Sequence, residues 1–337
     1  MPKATTLLAL LLGLSHLCAD YEPGHFLALT IQKLEKGIDP PRNLRILAIG
    51  DNSLHALGDG GSLHKHLLPQ FPHCPAIQLN LNTTPSATWT HCLDRIRQAL
   101  SWNPDIVIAY ATGSPTDLDK LLTQIRTRST ADILVPTIHW RTADLPNWER
   151  SENATDQDIA VLRETCRRYG AETVENRKLW AAHLQQQSAP VKSLLQDASR
   201  PNPAGLALLR QHILAHFQRP AKGFHYEPRS RERRLNFFFE FELDDYFEQP
   251  FTGNRIALLG RKSPQGGTAR IVVDGKPAGN LSFAGPKGEI FREEIKTSLD
   301  NKRHNLRIFP APGTALGLRG IEVFEPPLHP PAPNTQP

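Results

Sequence analysis

The sequence predicts an α/β domain with a doubly wound parallel sheet, followed by a smaller all-β sandwich domain. Between Asn43 and Phe217, short apolar runs alternate with amphipathic helical stretches, which is the pattern of βαβ units. From Leu235 onward no helical period persists, and turn signals separate short strands, as in β-sandwiches. A chain of 337 residues has room for about two domains.

Five runs in the first domain have the composition of buried strands. They are Leu44–Ile49, Ala76–Leu81, Asp105–Tyr110, Asp132–Ile138 and Glu172–Val174. The segments Ser86–Ser101, Leu118–Arg128 and Asp156–Tyr169 between them carry apolar residues three or four positions apart, which is the helical period. We therefore expect a parallel sheet with helices on both faces.

The second domain is marked by its turns. Gly266-Gly267, Asp274-Gly275 and Pro312-Gly313 separate apolar strand runs, and Asp-Gly between two strands is a strong hairpin signal because the turn needs positive φ. The predicted organisation is a signal peptide over 1–19, the α/β domain over 20–219, a linker over 220–234, the β-sandwich over 235–325 and a proline-rich tail over 326–337.

Composition and charge argue against nucleic-acid binding. Hydrophobic residues make up 39% of the chain and charged residues 22%, which is ordinary for a folded globular protein. The net charge of +5 is mild, and the basic residues concentrate only in Arg229–Arg234, a cluster typical of a solvated linker. Because a nucleic-acid-binding protein shows a concentrated basic face with aromatic platforms, we expect no nucleic-acid partner.

The N-terminus has the features of a secretory signal peptide. Lys3 precedes the apolar run Leu7–Leu14, and small residues follow near Ala19. That run is too short to cross a bilayer, which takes about 20 apolar residues. We therefore expect a secreted or periplasmic protein without a transmembrane segment. Lipid anchoring at Cys18 is the alternative, but Ser15–Leu17 fit poorly with the small residues that precede a lipidated cysteine.

Cysteines and histidines give no metal signature. Removing the signal peptide leaves Cys74, Cys92 and Cys166, and in an oxidising compartment Cys74–Cys92 is the local candidate for a disulfide. His64 and His66 stand too far from other ligand types to suggest zinc. We predict no metal and no cofactor.

Four short blocks follow the predicted strands or precede the last helix. They are Ile49–Leu54, Asn80–Pro85, Tyr110–Pro115 and Asp197–Gly205. In their order and spacing these blocks resemble the SGNH/GDSL hydrolase family, and Asp197–Gly205 is the most specific of them. The resemblance implies a flavodoxin-like fold and acyl transfer from an ester, by a serine nucleophile, a histidine base, an aspartate, and glycine and asparagine donors to the oxyanion.

The resemblance also implies that the catalytic set has been replaced. Asn52 stands at the nucleophile position, Arg200 at the histidine position and Gly113 at the asparagine position, and the glycine of the second block has no counterpart. Asp197 alone is kept. Because an arginine stays protonated near neutral pH, Arg200 cannot act as a base, and an Asp197–Arg200 ion pair is expected instead. The resemblance therefore implies a degenerate esterase that retains ligand or glycan binding.

Two other functions stay open at this stage. An active ester hydrolase on acylated glycans could use Ser53, beside Asp51, with a base from elsewhere in the chain. Alternatively, both domains serve only as surfaces of an exported binding or adhesion module. The β-domain, through Ile256–Gly260 and Ala269–Lys276, resembles the sandwich modules that accompany secreted carbohydrate-active esterases.

A glycan or acylated carbohydrate is the expected partner. Trp140 and Trp148 flank the loop after the fourth strand, and that loop opens at the carboxyl ends of the strands, where doubly wound sheets bind ligands. These two tryptophans are the candidate ligand contacts. The sequence leaves the oligomeric state open.

Overall fold

The computed structural model describes residues 21–38, 41–147, 154–227, 233–243 and 245–326. The expected signal peptide with Cys18, and Trp148, lie outside these ranges. Across the described ranges, no helix combines the length and the apolar content that crossing a bilayer requires.

The first domain is built on five parallel strands. They are β1 Leu44–Asp51, β2 Ile77–Thr84, β3 Ile106–Tyr110, β4 Asp132–Pro136 and β5 Glu172–Val174. Their order in the sheet is β2-β1-β3-β4-β5, and each neighbouring pair is parallel. This is the flavodoxin-like order of doubly wound sheets. Strands β3 and β4 are buried at every position, which explains their unbroken apolar sequence.

Helices cover both faces of this sheet. They are α1 Ala28–Lys36, α2 Gly60–Leu67, α3 Trp89–Leu100, α4 Pro115–Arg128, α5 Ala154–Arg168, α6 Asn176–Gln186 and α7 Pro203–Leu214. Alternate residues of β1 enter two separate cores: Ile46 packs with residues of α1, α2 and α7, whereas Leu47 packs with residues of α3 and α4. The predicted doubly wound α/β architecture is confirmed.

The second domain consists of two antiparallel sheets. Its strands are β6 Arg233–Leu243, β7 Phe247–Gly253, β8 Arg255–Arg261, β9 Thr268–Val273, β10 Lys276–Ser282, β11 Ile290–Lys296, β12 Lys302–Pro310 and β13 Leu316–Glu325. The sheets have the orders β10-β9-β12-β7 and β11-β8-β13-β6, and their inner faces share one apolar core. The predicted all-β sandwich is confirmed. Asp274 and Gly275 both take positive φ, 52° and 73°, at the predicted β9–β10 hairpin.

The β-sandwich docks on the edge of the parallel sheet at which its strands begin. Glu294 of β11 accepts hydrogen bonds from Arg45 at 3.2 Å and from Asn103 at 2.8 Å. Thr297 donates to the carbonyl of Ser101 at 2.7 Å, and Arg255 donates to Thr130 at 3.1 Å. The first-domain partners lie at the start of β1 and in the loops before β3 and β4, so the opposite, carboxyl edge is not covered by these contacts.

The three cysteines are free and buried, so the suggested Cys74–Cys92 disulfide is wrong. Cys74 belongs to the core on one face of the sheet, whereas Cys92 and Cys166 belong to the core on the other. The sheet itself separates Cys74 from the other two. Burial raises the pKa of Cys74 to about 11 and those of Cys92 and Cys166 to about 12, which keeps all three thiols protonated and unreactive.

Candidate functional site

The candidate site lies at the carboxyl edge of the sheet, where β1 ends at Gly50-Asp51. Gly50 has a φ of 131°, and a Cβ added there would lie 2.1 Å from the carbonyl oxygen of Tyr110 in β3. Only glycine lets β1 and β3 stay paired at this point while the chain turns away. The backbone conformation and the close approach of β3 therefore require glycine at position 50, whatever its place in the first block.

Asp51 organises the turn that follows. Its Oδ1 accepts a hydrogen bond from the Ser53 backbone amide at 2.8 Å and another from the Ser53 hydroxyl at 2.5 Å, so it caps the short helix Asn52–Leu57. Ser53 is 6% exposed, whereas Asn52 is exposed. Asn52, which the resemblance places at the nucleophile position, is thus exposed to solvent, and the Ser53 hydroxyl is turned inward onto the Asp51 carboxylate.

Arg200, which the resemblance places at the histidine position of the last block, forms an ion pair with Asp197. Asp197 Oδ1 accepts from the backbone amides of Ser199 at 2.9 Å and Arg200 at 2.8 Å, and its Oδ2 accepts from Arg200 Nε at 2.5 Å. These hydrogen bonds, those from the two amides first, lower the pKa of Asp197 to about 2. The predicted Asp197–Arg200 pair forms, with the arginine side chain 66% exposed. The aspartate is engaged by its own loop and orients no base.

A histidine that the sequence analysis did not single out lies at this edge. His139 follows β4, is 3% exposed, and has both ring nitrogens in hydrogen bonds: Nδ1 with the Tyr110 hydroxyl at 2.5 Å and Nε2 with the Ser199 carbonyl at 2.7 Å. Because a carbonyl only accepts, Nε2 carries the proton and Nδ1 accepts from Tyr110. Burial lowers the pKa of His139 to about 4. His139 is therefore a neutral structural link between β3 and the last block.

Burial of His139 and of His212 on α7 makes stability depend on pH. Burial lowers the pKa of His212 to about 3; its Nδ1 pairs with Asn176 Oδ1 at 2.8 Å. Both histidines titrate near pH 6.5 when unfolded. Because the unfolded chain binds protons first as pH falls below 6.5, stability is complete above that pH and declines toward the folded pKa values. We expect a loss of about 2 kcal/mol per histidine between pH 7 and pH 5.

Urea unfolding at the two pH values measures this decline. His212→Gln keeps an amide that can donate to Asn176 but has no titrating group. It should reduce the loss of stability between pH 7 and pH 5 by about 2 kcal/mol, even if it lowers stability at both pH values. A stability that is equal at pH 7 and pH 5 would contradict the assignment.

Trp140 is held in a buried cluster below this edge. It is 2% exposed, its Nε1 donates to the carbonyl of Arg177 at 3.0 Å, and the Arg177 guanidinium lies 3.5 Å from its ring centroid. Arg177 also pairs with Asp144 at 3.2 Å and Asp156 at 2.8 Å. Any ligand contact by Trp140 would require this loop to open. The other predicted contact, Trp148, lies outside the described residues.

A pocket of about 220 Å³ opens beside the third block. Trp89, Thr112, Gly113, Arg141, Thr155 and Asp158 are among its lining residues. Gly113 has a φ of 121°, and Arg141 is held by Asp144, 3.5 Å from its Nε, and by Thr155, to which it donates at 3.4 Å. Hydroxyls, one guanidinium and one carboxylate therefore surround this small space.

The structure brings together some of the predicted site residues and not others. Asp51, Asn52 and Ser53 form one turn, Gly113 lines the pocket, and Asp197 and Arg200 pair with each other. Within the described residues, the Ser53 hydroxyl has no hydrogen bond to a histidine; its partner is Asp51. No cluster of three or more histidine, cysteine, aspartate or glutamate side chains suited to a metal ion occurs in the described ranges.

Comparison with known proteins gives structural neighbours only. No protein-family model and no curated protein sequence matches this chain. A two-domain esterase active on acetylated mannans, crystallised with mannopentaose, is 14% identical, with 89% of this chain and 95% of the esterase covered and a TM-score of 0.43. An acetyl xylan esterase is 15% identical, with 51% and 98% covered and a TM-score of 0.42.

A third neighbour is the acetylxylan esterase of Geobacillus stearothermophilus. It is 16% identical to this chain, with 55% of this chain and 95% of the esterase covered and a TM-score of 0.42. At these identities and TM-scores, the neighbours do not assign a function to this chain.

Proposed function

We propose that this chain is an exported, non-hydrolytic protein with an SGNH-like scaffold. It binds an acylated glycan at the carboxyl edge of its parallel sheet. The proposed export depends on the signal peptide expected at residues 1–19. The observation that carries the proposal is the Asp197–Arg200 ion pair, because it stands where the resemblance implies an aspartate–histidine pair.

Two further observations support the absence of serine catalysis. Hydrolysis by a serine needs a base within hydrogen-bond reach of the hydroxyl, at about 3 Å. Among the described residues the Ser53 hydroxyl has no histidine partner; it donates to Asp51, whose same oxygen already accepts from the Ser53 backbone amide and caps the following helix. His139 has both ring nitrogens occupied and stays neutral at physiological pH, so neither nitrogen is free to take the proton of a nucleophile.

The pocket beside Gly113 supports the binding half of the proposal. Its threonine hydroxyls, Arg141 and Asp158 supply both donors and acceptors, which is what sugar hydroxyls and an acyl carbonyl require. Its place at the carboxyl ends of β3 and β4 is where doubly wound sheets bind ligands. The acylated carbohydrate is the class that the resemblance implies.

Hydrolysis and binding of acetylated xylotriose test the proposal together. The wild-type protein and Ser53→Ala are expected to release acetate no faster than buffer, while both bind the sugar by calorimetry. Arg141→Ala should weaken binding about tenfold, since it removes one charge-assisted hydrogen-bond donor. Lys120→Ala, on the exposed surface of α4, is the matched control and should bind normally. Acetate release that disappears in Ser53→Ala, or no binding at all, overturns the proposal.

An active hydrolase is the second candidate, because Ser53 Oγ and Asp51 Oδ1 are only 2.5 Å apart. In that case the hydroxyl proton would pass to Asp51 as Oγ attacks the ester carbonyl, and the sugar oxygen would leave with that proton as a free hydroxyl. Water would then attack the acyl-Ser53 ester, giving its proton through Asp51 to Ser53 Oγ and releasing the carboxylic acid. Turnover that falls in both Ser53→Ala and Asp51→Asn, but not in Asp197→Asn, would favour this function over the first.

A further inference from the structure

The pocket beside Gly113 has an apolar interior. Residues of α3, α4 and α5 and the chain just after β3 enclose it. Most of the residues that line it have apolar or aromatic side chains, among them Trp89, Ala111, Pro115, Leu118, Ile159 and Leu162. All of these except Pro115 are buried, with at most 8% of their surface exposed. The interior therefore offers hydrocarbon contacts and few hydrogen-bonding groups.

The polar lining residues lie at the rim of the same pocket. They are Thr112, Arg141, Thr155 and Asp158. Asp158 is exposed, the two threonines are half-buried, and the Arg141 side chain is 33% exposed. Because the polar residues are the accessible ones, a ligand meets hydrogen-bonding groups at the entrance and hydrocarbon further in. This division of the lining fits a ligand with a polar head and an apolar tail.

Ile159 adds to the interior without filling the core behind it. It is 3% exposed, but it is not among the residues of the apolar core that Leu162 and Cys166 of the same helix enter. Since the core on this face of the sheet does not include Ile159, its side chain is apolar surface for the pocket. The apolar interior is thus a property of the pocket and not only of the core below it.

The volume of the pocket sets the size of the apolar tail. At about 220 Å³ it is below the range of about 300–1,000 Å³ that whole drug-sized ligands occupy, so it holds one part of a ligand. An apolar cavity of about 150 Å³ stays dry and binds benzene, which by proportion gives room here for about nine non-hydrogen atoms. A hexanoyl group with both ester oxygens has eight such atoms, whereas an acetyl group with both oxygens has four and would leave half of the space unfilled.

The charges around the rim favour a neutral head group. In and directly behind the rim are two arginines and three aspartates, Arg141, Arg177, Asp144, Asp156 and Asp158. The charges on the neighbouring helix surfaces pair with one another, Asp117 with Lys120, Asp119 with Arg168 and Glu164 with Arg167. One negative charge is therefore in excess at the entrance, and like charges brought together oppose the binding of a carboxylate head.

We propose that this pocket holds the acyl chain of a neutral medium-chain ester, about six carbons long, with the ester oxygens at the rim beside Arg141. The inference rests on the proposed function, because it names the acyl group of the ligand that the same site binds. It departs from acetyl esters, which are too short to fill the apolar interior.

NMR titration of the full-length protein with methyl esters tests the pocket alone, because these esters carry no sugar. Affinity is expected to rise about fourfold with each added methylene, and so about 200-fold from methyl acetate to methyl hexanoate, as each methylene is buried. Methyl octanoate should bind no more tightly than methyl hexanoate, because the interior is then full. Hexanoate, which carries a carboxylate head, should bind more weakly than its methyl ester.

Two substitutions locate the chain in the interior. Ile159→Ala removes apolar contacts and is expected to weaken methyl hexanoate binding about tenfold. Ala111→Val adds two carbons to the interior and should weaken methyl hexanoate binding while leaving that of methyl butyrate nearly unchanged. Val161→Ala is the matched control, because Val161 lies on the same helix, is 48% exposed and does not line the pocket. It should bind every ester as the wild-type protein does.

Four results would overturn this assignment: no binding of methyl hexanoate, equal affinity for methyl acetate and methyl hexanoate, unchanged affinity in both Ile159→Ala and Ala111→Val, or tighter binding of hexanoate than of its methyl ester. If acetylated xylotriose binds and methyl hexanoate does not, the acyl-chain site is wrong and the proposed function stands. If methyl hexanoate binds as expected and acetylated xylotriose does not, the acyl-chain site stands and the glycan ligand is wrong.

Discussion

Gly50→Ala is expected to lower the free energy of unfolding by about 4 kcal/mol or more. The added Cβ would lie 2.1 Å from the Tyr110 carbonyl oxygen and 2.8 Å from its carbonyl carbon. Both contacts are with backbone in the middle of the sheet, so no side-chain rotation can relieve them. The positive φ of 131° adds strain that only glycine avoids. Circular dichroism during thermal and urea unfolding measures the loss, and a large decrease in soluble yield is the same effect in the cell.

Gly58→Ala provides the matched control. Gly58 follows the short helix Asn52–Leu57 and has a φ of 75°. The nearest atom to an added Cβ is Ser62 Oγ at 3.6 Å, which is an ordinary van der Waals contact. It should therefore show only the cost of a positive φ, about 1 kcal/mol. If Gly50→Ala were no more destabilising than Gly58→Ala, the close approach of β1 and β3 at Gly50 would be wrong.

Asp105→Ala is expected to cost about 3–5 kcal/mol, the range for removing one partner of a buried ion pair. Asp105 is 3% exposed and accepts from both terminal nitrogens of Arg42 at 2.7 Å, from Lys33 at 3.0 Å and from the backbone amide of Arg45 at 2.9 Å. Burial opposes its ionisation, but Lys33 and Arg42 outweigh burial and hold the pKa of Asp105 well below its usual range. One carboxylate thus fastens α1 and β1 to the start of β3.

Glu164→Ala is a suitable comparison, because the Glu164–Arg167 pair lies on the surface of α5. Exposed pairs of this kind contribute about 0–1 kcal/mol. Urea unfolding at neutral pH should therefore separate the two variants clearly. The Asp105 contribution should also be lost as the solution is acidified below pH 4, because a lowered folded pKa means that the stabilisation is present only above the unfolded value. Equal losses in the two variants would contradict the role given to Asp105.

The sequence was sufficient for the architecture and for the end of β1, but not for the ends of β2 and β4, which stop at Thr84 and Pro136 instead of Leu81 and Ile138. The unbroken apolar runs of β3 and β4 are buried on both faces, and continuous burial is what such runs encode. Gly50 and Asp51 end β1, as their position after an apolar run predicts. The three-residue spacing of Asp197 and Arg200 was enough to predict their ion pair, since both lie in one short loop.

The rest of the site depends on contacts between residues far apart in the chain. His139 meets Tyr110 across 29 positions and Ser199 across 60, and no local pattern specifies either contact. Its place just after a strand, at the ligand-binding edge, was the one available signal. Trp140 has the same signal yet is buried, because Arg177 of α6 packs on its ring. The error over Cys74 and Cys92 has the same origin: 18 residues separate them in sequence, but the sheet lies between them.

The docking of the β-sandwich on the starting edge of the parallel sheet places it at the opposite end of the strands from the pocket beside Gly113. The eight-residue strand β1 would then act as a spacer of about 26 Å, at about 3.3 Å per residue. The sandwich and the pocket are thus separated by the length of one strand, so that a bulky chain could approach the pocket without meeting the sandwich.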